Sequence, residues 1–237
     1  HEGFYKGENA ERLAGFMADI GGIITEEDLA IYEAIEREPV RGTYRGYDIV
    51  SMPLPSSGGV TMIEMLNILE GYDLAAMGHN SADYLHVLTE SMRRAYADRA
   101  EHLGDPDFNE GMPLAHLMDK DYAAELRASI DMDQASESDP SEFAQIYESE
   151  ETTHFSVVDK DGNMVSMTYT LEFGYGSAIV VEGGGYLLNN ELGDFNAVPG
   201  LTDRRGNIGT APNLVAPQKR PLSSMTPTII AQNGKPV

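Results

Sequence analysis

The sequence predicts an α+β fold, helices first and strands after, with a joint close to residue 152. Apolar residues recur at helical spacing through most of the first 130 positions. Runs enriched in β-branched and aromatic residues, punctuated by glycine turns, follow residue 152. Between them, residues 131–151 are rich in Asp, Glu and Ser and lack any period, so they read as an exposed, mobile segment.

The elements can be justified in order. Residues 8–20 set Leu13, Phe16, Met17 and Ile20 on one helical face, and Gly21-Gly22 ends the run. Thr25-Glu26-Glu27-Asp28 is a variant capping box opening a second short helix, expected to run to about Ile35. Pro39 to Met52 reads as two strands around Arg45-Gly46. The loop Pro53-Leu54-Pro55-Ser56-Ser57-Gly58-Gly59 then leads into an apolar helix from about Val60 to Leu69. Ser81 is placed to cap a long helix carrying Leu85, Leu88, Met92 and Tyr96 on one side, the face an amphipathic helix turns to a core. Beyond the acidic segment, Thr153–Val158, expected to be buried, and Met164–Thr170 read as strands joined through Lys160 to Asn163, where Asp161-Gly162 signals a two-residue turn. Ile179–Val181 and Tyr186–Leu188 read as short strands around Gly183-Gly184-Gly185.

Composition narrows the function. A formal charge of −23 would repel nucleic-acid phosphates and anionic membrane surfaces, and it also serves general solubility. The absence of cysteine removes disulfides, thiolate metal sites and cysteine nucleophiles. No apolar run approaches the roughly 18 residues a membrane span needs. The six histidines show no metal-binding spacing, and the glycine clusters lack the strand–turn–helix setting of a dinucleotide fingerprint, so no cofactor is expected. Both ends of the sequence look cut, which would put any signal peptide outside it.

The junction at residues 151–154 holds the chemistry. An acidic loop running straight into a strand that begins Thr-Thr-His is where an N-terminal-nucleophile hydrolase would cut itself. Such an enzyme needs Thr, Ser or Cys as the first residue of a strand, because the freed α-amine becomes the base for its own side chain. An α-amine titrates at about 7.7–8.0, close to the operating pH. The same pattern also fits a threonine pair of purely structural value. If Lys160 pairs with Asn163, Thr153 faces Thr170 and Thr152 faces Leu171, which puts the Thr152 and Thr170 side chains on opposite faces unless the strand end is kinked. His154, within the strand, reads as a core or supporting residue.

Five motifs resemble the γ-glutamyltransferase (γ-glutamyltranspeptidase, glutathione hydrolase) family, in the family's order. They are Pro53 to Gly59; Tyr96-Ala97-Asp98-Arg99 with Leu103-Gly104-Asp105-Pro106-Asp107-Phe108; Glu151 to Asp159; Leu187 to Phe195; and Lys219 to Thr228. The resemblance runs from end to end. It implies a four-layer αββα sandwich of the N-terminal-nucleophile hydrolase type, of which this chain covers the middle part. It also implies a precursor cleaved between Glu151 and Thr152, with residues 1–151 ending a large subunit and 152–237 starting a small one within the same domain.

The expected reaction attacks the γ-glutamyl amide of glutathione and related compounds and passes the acyl group to water or to an amino-acid or peptide acceptor. By the same resemblance Thr152 is the nucleophile and Thr170 bonds it and supports cleavage. Asp194 grips the substrate ammonium with help from Glu191, and Ser223 and Ser224 contact the α-carboxylate. Glu172 stands where well-known members have a substrate-binding Asn. Arg205 stands where some members carry a lid Tyr, which implies a more open pocket or a different lid. The family's carboxylate-binding Arg would lie before His1 and its paired-glycine oxyanion hole after Val237, so this stretch alone is expected to be inactive. Relatives are mostly periplasmic, secreted or surface-anchored. The alternatives are an acylase of the same fold acting on glutaryl or cephalosporin-type amides, and an uncleaved homologue that only binds γ-glutamyl compounds.

Overall fold

The computed structural model describes residues 1–137, 152–201 and 209–237, leaving Glu151, Arg205 and most of the acidic segment outside the described residues. The chain forms two compact units, and each draws on residues from both sides of the junction.

The first unit comprises residues 1–37, Thr152 and residues 170–191. It contains α1 (Glu2–Tyr5), α2 (Glu8–Asp19) and α3 (Glu26–Ile31). Helix α2 follows its predicted stripe, burying Ala10, Leu13 and Met17 against Leu29 and Val181. The capping box forms, with Thr25 Oγ1 accepting from Asp28 N at 3.2 Å and the Asp28 carboxylate accepting from Thr25 N at 2.8 Å. Helix α3 stops at Ile31, short of the expected Ile35. Ile31, Tyr32 and Ile35 are all exposed, so extending the helix would have buried little there to offset its ordering cost. The strands expected at 179–181 and 186–188 reduce to one bridge, Val180 to Leu187, closed by Gly183 and Gly185 at positive φ.

The second unit comprises residues 38–137, 153–169 and the described residues from 192 onward. Strands β1 (Val40–Tyr44) and β2 (Tyr47–Ser51) form a hairpin whose turn residues Arg45 and Gly46 both have positive φ, matching the right-handed twist of the strands. Five helices follow: α4 (Gly58–Leu69), α5 (Leu74–Met77), α6 (Ala82–His102), α7 (Leu114–Leu117) and α8 (Lys120–Ala128). The remaining strands are β3 (Thr153–Val158), β4 (Met164–Tyr169), β5 (Thr228–Gln232) and β6 (Lys235–Pro236). One antiparallel sheet has the order β1-β2-β5-β6, and β3 pairs with β4 in a second. The apolar helix α4 packs on α6, α8 and β1. Beside it lies a core of Leu54, Val60, Leu103, Leu117 and Leu222.

Three expectations for this unit are corrected. Helix α6 buries Val87, Ser91 and Ala95 with Glu90, while Leu85 and Met92 are exposed. Small residues let α4 approach closely, and the Ser91 hydroxyl is satisfied within the helix by the Val87 carbonyl. Strand β3 is exposed along its whole length, because a two-stranded ribbon has little of its own to cover it. The hairpin turn has three residues, Lys160 to Gly162, because Asp159 pairs with Asn163. The Asp159 carboxylate accepts from Asp161 N, Asn163 N and Asn163 Nδ2, and Gly162 takes the positive φ the turn requires. Those hydrogen bonds fix a register one residue away from the expected one, with Thr153 opposite Tyr169.

Candidate active site

The corrected register bears directly on the two threonines. Thr153 and Tyr169 form the last pair of the hairpin, so Thr152 and Thr170 each lie one residue beyond it. Residues that follow a pair in antiparallel register face each other with side chains on one side of the ribbon. Thr152 is exposed. Thr170 Oγ1 accepts from Glu172 N at 2.8 Å, which leaves its own proton available to donate.

Glu172 sits at φ +72, a left-handed backbone that few non-glycine residues adopt. Its carboxylate accepts from Asn190 Nδ2. Asn190 also accepts from Phe173 N at 3.0 Å and donates its own N–H to Leu171 O at 3.1 Å, so it clamps the turn that follows Thr170. Glu191 is half-buried and opens a 3-10 turn, Glu191–Asp194, with its N–H donating to Asn189 Oδ1 at 3.1 Å.

In the second unit, Ser223 and Ser224 lie on a loop held by the Pro53 to Gly59 segment. Ser57 Oγ and Ser57 N both donate to Ser223 O at 2.8 Å. Ser56 Oγ donates to Met225 O at 2.6 Å and accepts from Ser223 Oγ at 2.9 Å. From α6, Arg99 Nε donates to Ser57 Oγ at 2.8 Å and Nη2 to Ser224 Oγ at 3.2 Å. Asp194 is reached through the buried Asn213, whose Nδ2 donates to Asp194 O at 2.6 Å while its Oδ1 accepts from Leu222 N at 3.0 Å. Asp105, fully buried, accepts from Arg220 N at 2.8 Å and steadies the same loop further upstream. Asp194 is thus joined through the Asn213 side chain to Leu222, the residue before Ser223 and Ser224, within one unit.

The family model described as Gamma-glutamyltranspeptidase matches residues 1–237. The chain belongs to the gamma-glutamyltranspeptidase family. It is 50% identical over 235 residues to the glutathione hydrolase proenzyme of Escherichia coli, a match covering 98% of this chain and 40% of that protein. The crystal structure of the Helicobacter pylori gamma-glutamyltranspeptidase matches with a TM-score of 0.55 and 45% identity, over 57% of this chain and 38% of that one. The cephalosporin acylase of Bacillus halodurans matches over 100% of this chain and 40% of its own, with a TM-score of 0.76 and 28% identity. The fold is that of the N-terminal-nucleophile hydrolases, mixing helices and sheets. The chain spans about 40% of the length of the curated relatives it matches.

Within this member of the gamma-glutamyltranspeptidase family, sequence reasoning missed Asn213 and Arg99 as supports of the candidate site. Arg99 stood inside a motif already singled out by resemblance, whereas Asn213 carried no signal beyond a position among prolines and loops. His154, expected as a core or supporting residue, is exposed and so not in the core, its Nδ1 lying 2.7 Å from Thr168 Oγ1. A further buried cluster joins α4, α6 and α8. Glu64 bonds Asp98, which also accepts from Tyr122 Oη at 2.7 Å. Burial, then the hydrogen bond and negative charge of Asp98, push the Glu64 carboxyl well above the usual carboxylate range. Burial and the same Asp98 raise the Tyr122 phenol. No helix among the described residues is long and apolar enough to cross a membrane.

Proposed function

We propose that the protein is a γ-glutamyl hydrolase and transpeptidase that matures by cutting itself between Glu151 and Thr152. The observation that supports this reading is the hairpin register, whose last pair is Thr153 with Tyr169, so that Thr152 and Thr170 are the next residue on each strand. After cleavage the Thr152 α-amine takes the Oγ proton as Oγ attacks the γ-carbonyl carbon. The ammonium then returns that proton to the departing amine as the C–N bond breaks, leaving a γ-glutamyl ester on Thr152. Water or an acceptor amine attacks the ester and gives its proton to the α-amine. The C–O bond breaks and Oγ is reprotonated.

Thr170 donates its free proton to Thr152 Oγ and orients it. Asp194, supported by Glu191, pairs with the substrate ammonium, and Ser223 and Ser224 face its α-carboxylate. With Asn190 on its carboxylate, Glu172 holds the turn after Thr170 and adds negative charge near the ammonium. Residues 1–151 end the large subunit and 152–237 begin the small one. That each compact unit uses residues from both sides of the junction supports subunits that stay together after the cut. We further infer from the family resemblance a periplasmic or secreted enzyme, which cell fractionation tests.

The acylase reading is weaker because a glutaryl side chain offers no ammonium for Asp194 and Glu191. The test is the intact mass of the protein from its complete gene beside a Thr152→Ala copy, with turnover of γ-glutamyl-p-nitroanilide and glutaryl-p-nitroanilide. Two chains from the native protein, the smaller beginning at Thr152, one from the variant, and preference for the γ-glutamyl anilide are expected. One uncut chain in both removes the nucleophile assignment, and preference for the glutaryl anilide favours the acylase.

A further inference from the structure

We infer that Arg99 is a positioning residue that aims the Ser224 hydroxyl, making Ser224 rather than Ser223 the hydroxyl donor to the substrate carboxylate. This deepens the γ-glutamyl reading and rests on it. A guanidinium has donors and no acceptor. Arg99 Nε on Ser57 Oγ and Nη2 on Ser224 Oγ therefore force both serine oxygens to accept, and each serine proton must point elsewhere. The Ser57 proton goes to Ser223 O. Among the described residues the Ser224 proton meets no acceptor, and Ser224 is exposed.

Ser223 differs in the direction that matters. Ser56 spends its proton on Met225 O, so the bond between Ser56 and Ser223 uses the Ser223 proton. That proton points inward, and what remains on Ser223 Oγ is acceptor capacity. A carboxylate can only accept. Of the two serines, Ser224 alone has a hydroxyl proton to offer it, and a donor whose oxygen accepts from a cation is polarised toward a stronger, charge-assisted bond. Arg99 is itself held from its own helix, its guanidinium 6.0 Å from the Tyr96 ring centroid one turn earlier. The motif containing Arg99 thereby gains a role in the chemistry of the site, alongside the Ser56-Ser57 loop.

The experiment uses the self-cleaved enzyme from its complete gene, with KM and kcat measured on γ-glutamyl-p-nitroanilide. Arg99→Gln is expected to raise KM about tenfold with kcat little changed, as for loss of a contact made equally in ground and transition states. Arg99→Lys should recover part of the loss. In a Ser224→Ala background, Arg99→Gln should add less than about twofold, because the hydroxyl it aims is gone. Ser224→Ala should raise KM several times more than Ser223→Ala.

Full multiplication of the Arg99 and Ser224 effects, or equal effects of the two serine variants, overturns the inference while leaving the γ-glutamyl reading intact. If wild-type enzyme does not turn over the anilide, both fall. If Arg99→Gln does not accumulate as two subunits, the comparison of Ser223→Ala with Ser224→Ala decides on its own.

Discussion

Asn213 holds Asp194 to the loop of Ser223 and Ser224: its Nδ2 donates to the Asp194 carbonyl oxygen at 2.6 Å while its Oδ1 takes the N–H of Leu222, next to Ser223. Asn213 is buried, so an Ala there strands a backbone carbonyl and a backbone N–H together. Leaving such groups unpaired costs about 1–3 kcal/mol each. Asn213→Ala is expected to lower thermal stability and to raise KM for γ-glutamyl substrates by more than it lowers kcat, because the ammonium and carboxylate grips lose their common brace. Asn213→Asp keeps the acceptor and loses the donor, and should fall between. A variant with lowered stability and unchanged KM would reduce Asn213 to a packing residue.

Thr170 offers a cleaner separation of hydroxyl from shape. Its oxygen accepts from Glu172 N, which leaves its proton to donate, and the proposed function puts that proton on Thr152 Oγ during cleavage. Thr170→Ser preserves that proton, and Thr170→Val preserves the volume without it. Self-cleavage followed on gels should be at least about tenfold slower in Thr170→Val than in Thr170→Ser, the loss of roughly one hydrogen bond to a developing charge. Equal rates in the two variants would return the threonine pair to a structural role.

Gly58 opens α4 where the helix meets the serine loop. A Cβ there would lie 2.1 Å from Thr226 Oγ1, 2.6 Å from Met225 O and 2.9 Å from Ser224 O. Two of the three atoms are backbone, so the loop itself must move. Gly58→Ala is expected to cost about 1–3 kcal/mol of stability through overpacking and to raise KM through displaced Ser224. Kinetics on the folded fraction of that variant check the second part, and an unshifted KM would show that the loop absorbs the methyl group elsewhere.

How much of this could be read beforehand depended on the range of the interaction. The helix at 8–19, the Thr25 cap, the turn at Arg45-Gly46 and the Ser81 cap are local, decided by residues three or four apart, and they form as the sequence indicates. The hairpin register failed by one because Asp161-Gly162 suggests a two-residue turn, while the deciding bonds come from the Asp159 side chain reaching across to Asn163. The buried face of α6 failed because burial follows the partner helix, which prefers Ser91 and Ala95 at close approach to Leu85 and Met92. The candidate site residues were named through motif resemblance, not through any local pattern. Asn213 and the reach of Arg99 to Ser57 and Ser224 join segments up to 125 positions apart, and no local pattern encodes such a meeting.

Glu64 gives the last prediction, and its sign is fixed by burial. The carboxyl is 1% exposed and bonds Asp98, whose other partner is the Tyr122 hydroxyl. With its affinity for a proton raised on folding, Glu64 is neutral in the folded protein and donates to Asp98, whereas in the unfolded chain it ionises near pH 4.3. Below that pH both states hold the proton and the cluster contributes in full. Above it the folded state binds more protons than the unfolded one, so stability falls as pH rises, by at most about 1.4 kcal/mol per unit from this group. Glu64→Gln keeps a neutral donor toward Asp98 and has no proton to lose. Urea unfolding from pH 5 to 8, in the uncut Thr152→Ala background so that one polypeptide unfolds, should therefore show the wild-type Glu64 protein losing stability relative to Glu64→Gln as pH rises. A stability difference that stays constant across that range would mean that Glu64 gains no proton affinity on folding.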